Sequence, residues 1–70
     1  SVREHMSIVL RKLQGQRFVE FENLFDPAQG VPVLVVTFIA LLELGKETLI
    51  EITQAEAFAP IYVRLAYTPT

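Results

Sequence analysis

The order of hydrophobic patterns in this 70-residue sequence predicts an α+β fold, with three helices beside a small antiparallel β-hairpin. Two long segments, residues 2–13 and 33–44, repeat apolar residues at helical spacing, and a shorter such segment lies between them. Towards the end of the chain the period changes to two, which is typical of a half-buried strand. A chain of this length makes one domain with a thin core. We therefore expect a single domain over residues 1–70.

The first predicted helix begins at Ser1, which forms an S-x-x-E capping box with Glu4. Apolar residues then recur on one helical face: Val2, Met6, Val9, Leu10 and Leu13. Gly15 suits the left-handed residue that often closes a helix. These signals predict a helix of about 13 residues whose apolar face lies in the core.

The middle of the sequence predicts a short strand, a short helix and then a long helix. Residues 17–19 are enough for an edge strand only, and residues 21–25 have the apolar spacing of a brief amphipathic helix. Asp26-Pro27 should end that helix. Pro32 fits the first turn of the third helix, which we expect to run to about Leu44, with Gly45 near its C-cap.

The last third of the sequence predicts two strands joined by a wing. Residues 49–53 are rich in β-branched side chains, and apolar side chains alternate over residues 61–67. The connection from Gln54 to Pro60 has the length of a wing, and Phe58 is expected to pack it onto the body. The resulting order of elements is that of a winged helix. Because the chain starts at Ser1 without a methionine, we expect a fragment of a longer protein.

The third helix is apolar on nearly its whole circumference. A helical wheel predicts one side as the core stripe: Leu34, Phe38, Leu41 and Leu42. Lys46 lies on the other side, among mostly apolar residues. So small a body has too little material to bury both sides, and an uncovered apolar face indicates a partner. We therefore predict a protein-binding surface made of Val35, Val36, Ile39, Ala40 and Glu43. The alternative is a tighter local fold that buries them.

Composition argues against DNA reading. The formal net charge is −2, with 6 basic and 8 acidic side chains, whereas nucleic-acid-binding domains normally carry a basic excess. The segment from Val31 to Gly45 has no Arg, Lys, Asn or Gln to reach base edges, and the wing's only charge is Glu56. The first 17 positions hold four basic residues, which we interpret as a solvated helix face: Arg3, Arg11, Lys12 and Arg17.

Other candidate sites have less support. Tyr62, Arg64 and Ala66 form a second candidate partner face, and the ordinary solvent side of a hairpin is the alternative. His5 is the only histidine, cysteine is absent and no glycine-rich phosphate loop occurs, so we expect no enzyme and no catalytic, cofactor or metal site. The longest apolar run, residues 31–42, falls short of the roughly 20 residues of a membrane span, so no membrane partner is expected.

Three segments resemble a known family when taken in order. They are SVREHMS at residues 1–7, VTFIALLEL at residues 36–44, and Gln54 followed by EAFAPIYV at residues 56–63. Together they are similar to the C-terminal domain of the segregation and condensation protein A family. These proteins are the bacterial kleisins of the SMC (structural maintenance of chromosomes) complex. The resemblance covers essentially the whole chain.

The resemblance implies a winged helix that docks on the ATPase head of one SMC subunit, so that the kleisin closes a ring around DNA. It also implies that a second accessory subunit binds regions missing from this chain, and that DNA is contacted only indirectly, through the complex. A non-catalytic, cytoplasmic and nucleoid-associated protein is expected. Two alternatives stay open: a winged-helix DNA-binding domain of a transcription regulator, and a homodimerisation module that uses the same exposed face.

Overall fold

The computed structural model describes residues 1–67, so the last three residues of the expected domain lie outside it. Two α-helices and a three-stranded antiparallel sheet confirm the α+β class. The helices are α1 (Val2–Leu13) and α2 (Val31–Lys46), and the strands are β1 (Val19–Glu20), β2 (Ile50–Gln54) and β3 (Ile61–Leu65). Two short 3₁₀ turns, Phe21–Leu24 and Pro27–Gln29, separate β1 from α2.

Helix α1 begins and ends as its sequence predicts. The Glu4 backbone N–H donates to the Ser1 hydroxyl oxygen at 3.4 Å, which satisfies one of the free donors at the helix start. Gln14 caps the other end, and Gly15 follows with φ of +75°, a value that glycine adopts without a Cβ clash. The predicted left-handed role of Gly15 is confirmed.

The predicted second α-helix is wrong. Residues 21–24 form a single 3₁₀ turn, and Phe25 is already extended, with φ of −142° and ψ of 155°. Pro27 disfavours helical backbone at Asp26, so the segment is too short to offset the cost of nucleating an α-helix. The turn nevertheless buries Leu24 in the core.

Helix α2 extends two residues beyond the expected Leu44, and Gly45 is not its C-cap. The left-handed position falls at Thr48, with φ of +60°, while Glu47 caps the helix. Gly45 lies inside the last turn of the helix and faces β2. A Cβ at Gly45 would lie 3.9 Å from the Ile52 Cδ1 atom, an ordinary van der Waals contact, so this position has room for a small side chain. Within residues 1–67, no helix combines the length and hydropathy that crossing a membrane requires.

The sheet places β3 in the centre, in the order β1-β3-β2. The hairpin of β2 and β3 is confirmed, with Ile52 opposite Val63 and Thr53 opposite Tyr62. The edge strand predicted at residues 17–19 is β1, shifted to residues 19–20, with Val19 opposite Val63. Directly opposed residues share a sheet face, so Val63 faces the helices and Tyr62 faces outward.

The core lies between the two helices and the inner face of the sheet. Helix α1 packs mainly against α2. The buried apolar cluster draws on both helices, the first 3₁₀ turn and the two longer strands: Val9, Leu13, Leu24, Leu41, Leu44, Ile50 and Val63. So few residues make a thin core, in which each one matters for stability.

The predicted orientation of α2 is wrong by about a quarter turn. The buried residues are Thr37, Ala40, Leu41 and Leu44, whereas Phe38 and Leu42, assigned to the core from sequence, are 49% and 55% exposed. Leu34 is half-buried. Thr37 and Ala40 are small, and small side chains allow close packing of α2 against its neighbours, which displaces the larger Phe38 and Leu42 to the surface.

Adjacent leucines test this orientation. Leu41 is 2% exposed, so Leu41→Ala should lower the free energy of unfolding by about 2–5 kcal/mol. Leu42→Ala, at a residue 55% exposed, should lower it by less than about 1 kcal/mol. Urea unfolding followed by circular dichroism measures both variants. Equal losses would contradict the orientation of α2.

The glycines at residues 45 and 15 should respond to alanine in opposite directions. Gly45→Ala should stabilise the protein by about 0.4–1 kcal/mol, because a Cβ has room there and the unfolded chain loses freedom. Gly15→Ala should destabilise it by about 1–2 kcal/mol, because an alanine at φ of +75° is strained. Thermal unfolding of the two variants separates the effects, and a loss at Gly45 would rule out the packing described for Ile52.

Candidate protein-binding surface

One side of α2 carries an uncovered row of large apolar side chains. The row follows the spacing i, i+4, i+7, i+8, i+11, so its members share one helical face over about 17 Å. Their exposed fractions range from 44% to 68%. We call this row the α2 strip; it consists of Val31, Val35, Phe38, Ile39 and Leu42.

The five α2 residues predicted to bind a partner differ in their exposure. Val35 and Ile39 lie on the α2 strip. Val36 and Glu43 are half-buried at its margin. Ala40 is 0% exposed, so its predicted place on the outer face is wrong. Its methyl group is part of the small-residue side that packs inside the protein, where no partner reaches it.

Sequence reasoning missed the other members of the strip. The helical wheel places Phe38 and Leu42 in the core because they share a sector with Leu34 and Leu41. Phe38 is also the point where the strip meets the 3₁₀ turn before the helix. Its ring lies edge-on to Phe21, with centroids 6.2 Å apart, and Phe21 in turn contacts Phe25 at 5.3 Å. These aromatic pairs extend the apolar surface sideways from α2.

Little charge accompanies the α2 strip. Within α2, Glu43 and Lys46 are the charged residues. The two ion pairs found among residues 1–67 lie elsewhere, between the Ser1 amino group and Glu4 and between Arg64 and Glu51. Binding to a surface of this kind is favoured mainly by the removal of apolar area from water.

The second predicted face is on the outside of the sheet, where local contacts engage its side chains. The Tyr62 ring packs edge-on against Phe18, with centroids 4.9 Å apart. Arg64 Nε donates to the Glu51 carboxylate at 2.7 Å across the β2–β3 pair. Ala66 is exposed beyond the end of β3. These contacts give the side chains of Tyr62 and Arg64 a structural role within the sheet.

The wing contradicts the expectation that Phe58 packs onto the body. Phe58 is 102% exposed, so its own chain covers none of the ring. Its φ is +66°, in the left-handed region that bulky residues rarely adopt. The turn around it is held by two hydrogen bonds, from Gln54 Nε2 to the Ala59 carbonyl at 2.8 Å and from the Ala59 N–H to the Glu56 carbonyl at 3.1 Å. The backbone at the hairpin tip directs the side chain of Phe58 into solvent.

Candidate catalytic or metal-ligating side chains are few in the described part of the chain. Residues 1–67 contain no cluster of three His, Cys, Asp or Glu side chains that could hold a metal ion. The His5 ring contacts its own helix start, where Nδ1 lies 2.9 Å from the Ser1 carbonyl oxygen. The exposed apolar area of the α2 strip is the main feature that points to binding.

Comparison with known proteins identifies the family. The family described as "Segregation and condensation protein ScpA" matches residues 1–66. Proteins named "Segregation and condensation protein A" are similar over 91% of the chain. The one from Listeria monocytogenes serotype 4a is 48% identical over 66 residues, that from Coxiella burnetii 44% over 64 residues, and that from Xylella fastidiosa Temecula1 42% over 64 residues.

The match covers only part of each relative. The chain spans 26% of the Listeria protein, 24% of the Coxiella protein and 21% of the Xylella protein. Its own length, by contrast, is almost fully matched, from the first helix to the end of β3. The chain belongs to the segregation and condensation protein A family.

Proposed function

We propose that this chain is a non-catalytic protein-binding domain that docks on the ATPase head of an SMC protein. In that role it serves chromosome segregation and condensation, the process named in its relatives. The α2 strip is the observation that carries the proposal. A 70-residue domain that leaves five large apolar side chains uncovered on one helix face has a surface suited to a protein partner.

Charge supports a protein partner over DNA. Helix α2 and the wing carry Glu43, Lys46 and Glu56, so neither element presents the basic surface that phosphates require. The basic residues of α1 lie in another element, and Lys12 donates to the Leu24 carbonyl at 3.3 Å. We propose that DNA is held only indirectly, through the complex.

The proposal has finer parts that rest on the family. The two helices, the intervening turns and the hairpin are proposed to be a winged helix in which the 3₁₀ turns replace the usual second helix. The chain is proposed to be one domain, from the C-terminal part of a longer protein that is cytoplasmic and nucleoid-associated. Other regions of that protein would bind the second accessory subunit.

Burial of the α2 strip alone supplies too little free energy for stable docking. Full burial of an aliphatic or phenylalanine side chain contributes about 1.5–3 kcal/mol, so each half-exposed member of the strip contributes about 1 kcal/mol. Association costs about 4–15 kcal/mol in lost translational and rotational freedom. The strip is therefore expected to be the centre of a larger interface, which other parts of the domain complete.

Ile39→Glu tests the proposal against a matched control. A carboxylate in the middle of the strip would be buried unpaired on docking, so affinity for the full-length SMC protein of the same bacterium should fall by about 30-fold or more. Ile8→Glu makes the same change on the exposed side of α1, outside the strip, and should leave the affinity unchanged. Isothermal titration calorimetry measures both, and circular dichroism should show both variants folded because both sites are exposed.

Two results would contradict the proposal. One is unchanged SMC binding by the Ile39→Glu variant. The other is a wild-type chain that binds no SMC protein and instead forms dimers, in sedimentation at micromolar concentration, that the same substitution disrupts. That second result would assign the strip to homodimerisation. A salt-dependent shift of duplex DNA by the wild-type chain would favour the DNA-binding alternative.

A further inference from the structure

We infer that Phe58 is an anchor residue, which inserts its ring into an apolar pocket with a basic rim on the partner that the α2 strip contacts. The inference rests on the proposed function and adds to it a second point of attachment. It assigns a binding role to the wing.

Phe58 has the highest exposed fraction among the large apolar side chains of residues 1–67. Phe18 packs on Tyr62, and Phe38 contacts Phe21, so these exposed rings are partly used within the domain. Phe58 is 102% exposed and takes part in none of the aromatic pairs among residues 1–67. The fold therefore gains no packing from its ring.

The backbone at Phe58 lies in the left-handed region. A turn position with φ of +66° favours Gly or Asn, and a phenylalanine there is strained. Strain of this kind persists only where the surroundings enforce it. Here Gln54 and Glu56 enforce it through their hydrogen bonds to Ala59. The hydrogen-bonded turn thus fixes the direction of the Phe58 Cα–Cβ bond before any partner arrives, which reduces the backbone entropy lost on binding.

The neighbours of Phe58 indicate the kind of partner. Ala57 and Ala59 flank the ring with small side chains, so the tip of the wing is narrow enough to enter a recess. Glu56 is the only charged residue in the wing. A carboxylate beside the ring disfavours phosphates and anionic lipid surfaces, whereas it complements a basic side chain at the rim of a protein pocket.

Phe58→Gly separates an anchor from a structural residue. Glycine removes the ring and relieves the left-handed backbone, so the thermal midpoint of unfolding should stay the same or rise. Affinity for the full-length SMC protein, measured by titration calorimetry with this chain, should fall at least about tenfold. Phe18→Ala removes a different exposed aromatic ring and should leave that affinity within about twofold.

Charge at the rim is tested in the same titrations. Glu56→Lys should weaken binding by about three- to tenfold at low salt, and the difference from wild type should shrink as salt is added. Glu22→Lys, a charge reversal on the first 3₁₀ turn, is the matched control and should have no such effect.

The outcomes distinguish the two proposals. If wild type binds the SMC protein and Phe58→Gly binds equally well, the anchor is wrong and the proposed function stands. A lower unfolding midpoint in Phe58→Gly would also overturn the anchor, because it would show a structural role for the ring. If the wild-type chain does not bind the SMC protein at all, the proposed function is wrong, and so is the anchor role of Phe58. Self-association that depends on Phe58 would replace the SMC protein with a second copy as the occupant.

Discussion

The fold depends on how closely α2 packs inside so small a protein. Thr37 and Ala40 give α2 a side with little bulk, and Leu41 and Leu44 fill the space beside it. Once this side is buried, the remaining elements have fixed places: α1 covers α2, and β2 packs against α2 where Gly45 faces Ile52. The interior is then full. The large residues on the opposite side of the helix stay outside because a core of this size has no volume left for them.

Much of the fold was predictable because its signals are local. The capping box, the apolar stripe of α1, the left-handed Gly15 and the alternation in β3 each depend on a few neighbouring residues. The orientation of α2 was not predictable from sequence. A helix that is apolar on both sides has no sequence pattern to show which side faces the core. Leu41 and Leu42 differ only in position, and tertiary packing decides which one is buried. The first 3₁₀ turn was mistaken for a helix because its apolar spacing fits both structures.

The candidate surface was predictable in kind and only partly in membership. An excess of apolar residues indicated that some would face outward, and Val35 and Ile39 were placed correctly outside. Ala40, Phe38 and Leu42 were misplaced by the same rotation of the wheel. Phe58 was misplaced for another reason. Its exposure follows from the φ of one turn residue, and a single sequence carries little information about that angle when the residue is not glycine.

The α2 strip and the buried side of α2 belong to the same helix. Binding of a partner to the strip therefore affects the stability of the fold as a whole. A ligand that binds only the folded form raises the free energy of unfolding by RT ln(1 + [L]/Kd), or about 2.7 kcal/mol at a hundred times Kd. A domain of 70 residues has a total of roughly 4–10 kcal/mol. A partner seated on the strip would therefore supply a large share of that total. The resistance of this chain to unfolding and proteolysis would then follow the abundance of its partner, and molecules made in excess would be the first to be degraded.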